Sequence, residues 1–242
     1  PLFMDELNAE FEAIASTGSA TSSKARSLSG VEGKKLSPKQ RIEALHEFQE
    51  KLGNLKFLDP ACGSGNFLTE TYLSIRRLEN KVISILNNGE KVLGFDEFIK
   101  VKINQFYGIE INDFAVTVAK TALWIAESQM MTETEKIIGM NLDFLPLTTN
   151  AFIVEGNALR MNWATLKPID ENVQLNDGLF AGFATEVDGN EIQYDYIMGN
   201  PPFVGARLMS EAQKEDVINI FGAKWKNVGN LDYVSCWYKK AA

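Results

Sequence analysis

Phe57-Leu58-Asp59-Pro60-Ala61-Cys62-Gly63-Ser64-Gly65-Asn66-Phe67-Leu68 is the stretch that decides the fold. A short apolar strand over residues 56–59 runs into a tight glycine turn, and a helix is expected from about 66 to 86. Gly63 and Gly65 permit positive φ and strip side chains from the loop. A ligand can then lie on bare backbone beside a helix N-terminus, where the dipole favours a carboxylate. Asp59, at the strand end, is placed to meet an ammonium. A zwitterionic amino-acid tail satisfies both groups, and the methionine part of S-adenosylmethionine is such a tail. The turn lacks the Lys-Ser/Thr ending of a phosphate-binding loop and the third glycine of the dinucleotide fingerprint. The plain alternative is a generic strand-to-helix turn.

Working outward, strands alternate with helices. Strands are expected at residues 105–110, 152–155 and 194–198, with helices at 112–129, near 209–220 and near 230–242. The 112–129 helix is read with Ala115, Val118, Ala122 and Ile125 on one face. Such alternation implies a parallel sheet covered on both faces, with ligands outside the carboxyl ends of its strands. Upstream, residues 1–15 read as an amphipathic helix. Residues 16–38, rich in Ser, Thr, Gly and Lys, read as a linker. Ser37-Pro38 starts a helix to about Leu52 with Ile42, Leu45 and Phe48 as its buried stripe. Residues 76–104 read as a helical insertion and 182–193 as a hairpin about Asp188-Gly189-Asn190. The domain division is 1–53, helical segment and linker, and 54–242, a partial catalytic core.

Two further segments sit at strand ends. Glu110, in Tyr107-Gly108-Ile109-Glu110-Ile111-Asn112, can accept both ribose hydroxyls of a nucleoside, with Ile111 flanking the base. Glu155-Gly156-Asn157-Ala158 follows the third strand. Ile197-Met198-Gly199-Asn200-Pro201-Pro202-Phe203 carries the strongest chemical signal. An exocyclic amine on an aromatic base is a poor nucleophile, because its lone pair is delocalised. The Asn200 side-chain oxygen and the Pro201 carbonyl can accept its two N–H groups and aim the lone pair at a sulfonium methyl. Pro201 and Pro202 stiffen the loop, and Phe203 offers a face to an extruded base. Neither a metal nor a covalent nucleophile is called for. Cys62 reads as a packing residue, and His46 as an exposed helix residue.

These two motifs resemble the adenine-amino DNA methyltransferases of bacterial restriction–modification and phage-defence systems, over roughly residues 40–240. The resemblance implies a class I S-adenosylmethionine-dependent methyltransferase fold, a Rossmann-like α/β three-layer sandwich that is incomplete at its C-terminal end. It implies cofactor binding by Asp59, Pro60, Ala61, Cys62, Gly63, Gly65, Asn66, Phe67, Glu110, Ile111, Asn157 and Ala158. Catalysis falls to Asn200, Pro201, Pro202 and Phe203. The family commonly has Asp where Asn157 stands, bonding the cofactor's adenine amine; the amide oxygen of Asn157 can do the same. Asn230-Leu231-Asp232-Tyr233-Val234 resembles the helix that packs beside the cofactor.

The charge balance qualifies the partner. There are 24 basic and 32 acidic residues, a net charge of -8. DNA binding needs Lys and Arg against phosphates. Family members continue beyond this point with further strands and a target recognition region, so the DNA grip is expected outside this chain, which leaves the activity of the chain alone open. Two cysteines without metal or disulfide spacing, and no membrane span or signal segment, point to the cytoplasm. Two rival readings stay open. One is amino-methylation of a protein glutamine or an RNA base, for which Asn-Pro-Pro logic also serves. The other is a non-catalytic scaffold of the same fold.

Overall fold

The computed structural model describes residues 2–16, 36–87, 99–142, 151–166 and 191–242. Almost all of the expected linker and most of the expected 182–193 hairpin lie outside these residues. Among the described residues, four strands form one parallel sheet in the order β3-β2-β1-β4: β1 (Phe57–Asp59), β2 (Phe106–Glu110), β3 (Phe152–Glu155) and β4 (Tyr196–Ile197). Phe57 stands opposite Phe106 on one side and Tyr196 on the other, and Glu110 stands opposite Glu155. All four carboxyl ends therefore open at one rim.

Alternation along the strands builds two cores. Phe57, Phe106 and Ile153 face α1 (Leu2–Ser16), α2 (Pro38–Asn54), α3 (Asn66–Leu86) and α4 (Asp113–Ile138). Leu58, Tyr107 and Ile109 face α5 (Glu211–Phe221), α6 (Ser235–Ala241) and Trp163. This is the expected three-layer α/β arrangement. On the first face Phe57 stacks on Phe106 at 4.9 Å between centroids, and Tyr72 of α3 meets Phe106 edge-on at 5.5 Å. Leu7 and Phe11 of α1 are buried in this same core, and Phe3 packs 4.6 Å from Tyr196.

The helix bounds follow local chemistry. Ser37 caps α2, with Gln40 completing a capping box. Its buried stripe is Leu45, Phe48 and Leu52; Ile42 is 52% exposed, against expectation. Buried Gln49 continues this face instead, because its amide donates to Glu79 at 3.0 Å. Asn112 caps α4, which runs on to a left-handed Gly139. Its buried stripe is Val116, Ala119, Leu123, Ala126 and Met130, one residue on from the expected face, and Ile125 is 64% exposed. Both stripes repeat with helical spacing, and packing on α3 selects the second. Residues 76–86 of the expected insertion complete α3, 88–98 lie outside the described residues, and 103–105 form a 3-10 turn. The expected final helix begins only at Ser235, after a 3-10 turn at Val228–Asn230.

Candidate functional site

The glycine turn is held from below. The Cys62 N–H donates to the Ile109 carbonyl at 3.1 Å and the Gly65 N–H to the Cys62 carbonyl at 2.8 Å. Gly65 has φ +80°, and a Cβ there would stand 2.9 Å from the Ala119 Cβ. So α3 starts tight against α4, and no side chain caps its first turn. Asn66 and Phe67 are exposed at that start. The Trp237 indole donates to the Pro60 carbonyl at 3.1 Å, which anchors the turn to α6.

Asp59 is fully buried. Its Oδ1 accepts the Ala61 N–H at 3.0 Å, and Oδ2 has no partner among the described residues. Burial, with Glu110 nearby, pushes its carboxyl up to about 7 despite the Ala61 bond. The backbone of Gly199 passes directly over it: a Cβ there would lie 2.4 Å from Asp59 Oδ1. The residue just before the expected catalytic stretch thus needs to be glycine because of the buried Asp59 carboxylate. Cys62 is buried, and desolvation pushes its thiol up to about 12, so it stays a neutral packing residue. His46 is exposed, as expected.

Glu110 accepts three backbone N–H groups: Gly63 at 2.9 Å, Ile111 at 2.9 Å and Asn112 at 3.0 Å. A carboxylate offers about four acceptor positions. Taking two ribose hydroxyls as well would require one of these bonds to give way. Beyond β4, the Met198 N–H bonds the Leu58 carbonyl at 2.8 Å and ties the strand end to β1. Downstream, the Val204 N–H donates to Asp232 at 3.2 Å and the Val204 carbonyl accepts the Tyr233 N–H at 3.0 Å. The intervening loop is pinned at both ends. Phe203 projects from it, 71% exposed.

One cavity of about 680 Å³ joins these segments. Of the expected residues, Pro60, Ala61, Glu110, Ile111, Asn157, Ala158, Asn200 and Pro202 line it. Asp59, Cys62, Gly63, Gly65, Asn66, Phe67, Pro201 and Phe203 do not; Asp59 lies buried just behind Pro60 and Ala61. Sequence reading missed Arg160, Gln213 and Asp216 in the wall; Tyr233, also in the wall, belongs to the 230–234 segment expected to pack beside the cofactor. Asp216 on α5 is 3% exposed and gathers three donors. Arg160 Nε lies at 2.7 Å, the Tyr233 hydroxyl at 2.8 Å and Asn157 Nδ2 at 3.2 Å. Burial pushes its carboxyl up, but bonds from Arg160, Tyr233 and Asn157 outweigh this and hold it below the ordinary range.

The residues present fit S-adenosylmethionine. Asp59 has an orphaned oxygen for a cation, and α3 offers uncapped N–H groups for a carboxylate. Ile109, Ile111 and Ala158 supply apolar wall for a base, in a cavity of the size small-molecule sites have.

Comparison with known proteins completes the description. A family model for the MmeI DNA-methyltransferase domain matches residues 34–242. The DNA methyltransferase A of Bacillus subtilis is 38% identical over 196 residues, 80% of this chain and 20% of that protein. A type II restriction enzyme and methyltransferase of Escherichia coli is 28% identical over 184 residues, 72% of this chain and 17% of its own. The solved structure of the Type IIL restriction-modification enzyme MmeI in complex with DNA superposes with a TM-score of 0.74 at 33% identity. That match takes in 100% of this chain and 26% of the other. The chain thus spans about a sixth to a quarter of the length of these relatives.

Proposed function

The chain belongs to the family of MmeI DNA-methyltransferase domains, and on that footing we propose that it transfers a methyl group from S-adenosylmethionine to the exocyclic amine of adenine in DNA. It would do so within a restriction–modification or phage-defence system of the cytoplasm, with target recognition supplied outside these residues. One observation carries the reading. Pro60 and Ala61 at the start of the glycine turn, Glu110 and Asn157 beyond two strand ends, and Asn200 and Pro202 line a single cavity, so methyl donor and amine acceptor can meet there.

When bound, the cofactor supplies an electrophilic methyl on a sulfonium. Asp59 would hold its ammonium, and the first turn of α3 its carboxylate. Glu110 would hold the ribose at the cost of one of its backbone partners, and Ile111 would flank the adenine. Asn157 accepts the adenine amine through its amide oxygen. On the substrate side, Asn200 Oδ1 and the Pro201 carbonyl accept the two hydrogens of the target amine, which frees its lone pair towards the methyl. Phe203 stacks on the extruded base. Catalysis then rests on positioning, and the proton lost from nitrogen leaves through the Asn200–Pro201 acceptors to water.

The test uses tritiated methyl donor and the intact protein with DNA, RNA and protein acceptors. DNA takes the label, and Asn200→Ala lowers transfer at least about a hundredfold, the scale of a lost transition-state acceptor, with cofactor affinity kept. Label on RNA or protein alone would overturn DNA as substrate, and full transfer by Asn200→Ala would overturn the chemistry.

A further inference from the structure

The buried carboxylate on α5 has no place in the chemistry above. Asp216 comes from a run of polar residues, Glu211-Ala212-Gln213-Lys214-Glu215-Asp216, whose other carboxylates are exposed. Alone of that run's acids it points inward, into the cavity wall beside Asn157. An ionised carboxylate accepts hydrogen bonds and cannot donate them. Its neighbour at 3.2 Å can therefore only be the NH2 end of the Asn157 amide. The other end agrees: Asn157 Oδ1 accepts the Leu159 N–H at 3.0 Å. Reversing the amide would set oxygen against carboxylate and NH2 against N–H, two repulsive contacts at once. The orientation of Asn157 is thus fixed by chemistry. A carbonyl oxygen has two lone pairs, so one remains for a donor from the cavity.

We propose that Asp216 is a positioning residue that locks the Asn157 amide with its oxygen towards the cofactor's purine, and so makes the site select a 6-amino purine over a 6-oxo purine. This rests on the reading of Asn157 as the acceptor of the adenine amine. Arg160 and Tyr233 serve the lock in turn. Their bonds to Asp216 hold the carboxylate in place and keep it charged. Tyr233 also binds the backbone of Val204, so the lock is tied to the loop that carries Asn200.

The experiment is calorimetry on the intact protein with S-adenosylhomocysteine and S-inosylhomocysteine, which differ in presenting NH2 or a carbonyl at C6. The native protein prefers the adenosyl compound. Asp216→Asn, an isosteric change that lets the amide turn, lowers that preference about tenfold, the scale of one charge-assisted hydrogen bond. In an Asn157→Ala background the same change alters nothing further. Asn157→Asp alone weakens binding of both compounds, because two carboxylates then face each other. Asn157→Asp with Asp216→Asn restores the adenosyl preference, since the pair again holds one carboxylate and one amide. This rescue stands even where a single variant folds poorly. If Asp216→Asn weakens both compounds equally with the preference intact, or if the exchanged pair fails to rescue, the positioning role is overturned while Asn157 keeps its reading. If the native protein shows no preference at all, the reading of Asn157 falls and takes this inference with it.

Discussion

Asp59 shows at the scale of one residue how a carboxylate proposed to bind a ligand is held at the expense of stability. Its carboxyl is ordinary in the unfolded chain, near 3.8, and stands at about 7 when folded, because burial disfavours the charge. Between those values the folded state keeps a proton that the unfolded state has lost, so stability falls as pH rises from about 4 to about 7 and then levels. Asp59→Asn removes the titrating charge and keeps an acceptor for the Ala61 N–H. The variant should therefore be more stable than the native protein by about 1–4 kcal/mol at pH 8 and gain little at pH 4. Thermal unfolding at the two pH values reads this directly, and an equal gain at both would contradict the buried charge. The same variant should bind S-adenosylmethionine more weakly. Asp59 was legible in the sequence because it stands at a strand end beside two glycines. Asp216 was not. A stretch of alternating acids, lysine and amides reads as a solvated helix face, and only chain closure brings position 216 against position 157.

At the scale of elements, α3 is the helix that carries an ion pair into the core. It lies between α2, α4 and the sheet, and buries Arg76 and Glu79 completely. Arg76 bonds Glu79 and also Thr134 of α4, at 2.8 Å to the threonine. Glu79 accepts from Gln49 of α2 at 3.0 Å and from the backbone of Lys100 at 2.6 Å. One ion pair thus joins three helices and the chain entering β2. Arg76→Ala would strand the Glu79 charge and should cost about 3–5 kcal/mol in chemical denaturation. Arg76→Met with Glu79→Gln should recover much of that loss, because the glutamine still offers an oxygen to the backbone. A loss under about 1 kcal/mol in the single variant would mean that water reaches Glu79. The helix starts at Ser37 and Asn112 were legible, since each acts through a local bond, but the end of α4 was not: the expected helix stops at 129, and α4 runs to Ile138 before the left-handed Gly139. The buried faces of α2 and α4 were less so. Apolar residues occur on two adjacent stripes of each, and neighbouring elements decide which one turns inward.

For the whole molecule, α1 belongs to the same apolar cluster as the first strand. Leu7 and Phe11 are buried with Phe57 and Phe106, and Phe3 reaches Tyr196 beside the strand that leads into the Asn200 loop. Leu7→Ala should therefore cost about 2–5 kcal/mol and move the unfolding of the cofactor core as one transition, followed by cofactor-protected hydrogen exchange. An early, separate transition of the N-terminal helices would show that they form an independent unit. The sequence by itself determined the parallel α/β order, the glycine turn, the acidic strand ends and the Asn200–Phe203 loop. Each of these is written in neighbouring residues: a strand that must stop, a backbone that must bend, a carboxylate that must follow. What only the tertiary structure decided is how those segments share a wall. Gly199 lies on Asp59, Glu110 closes on Gly63, and Asp216 turns the Asn157 amide. These contacts join residues 47 to 140 positions apart, and hydrogen bonds of such range depend on how layers pack. No local pattern of residues encodes them.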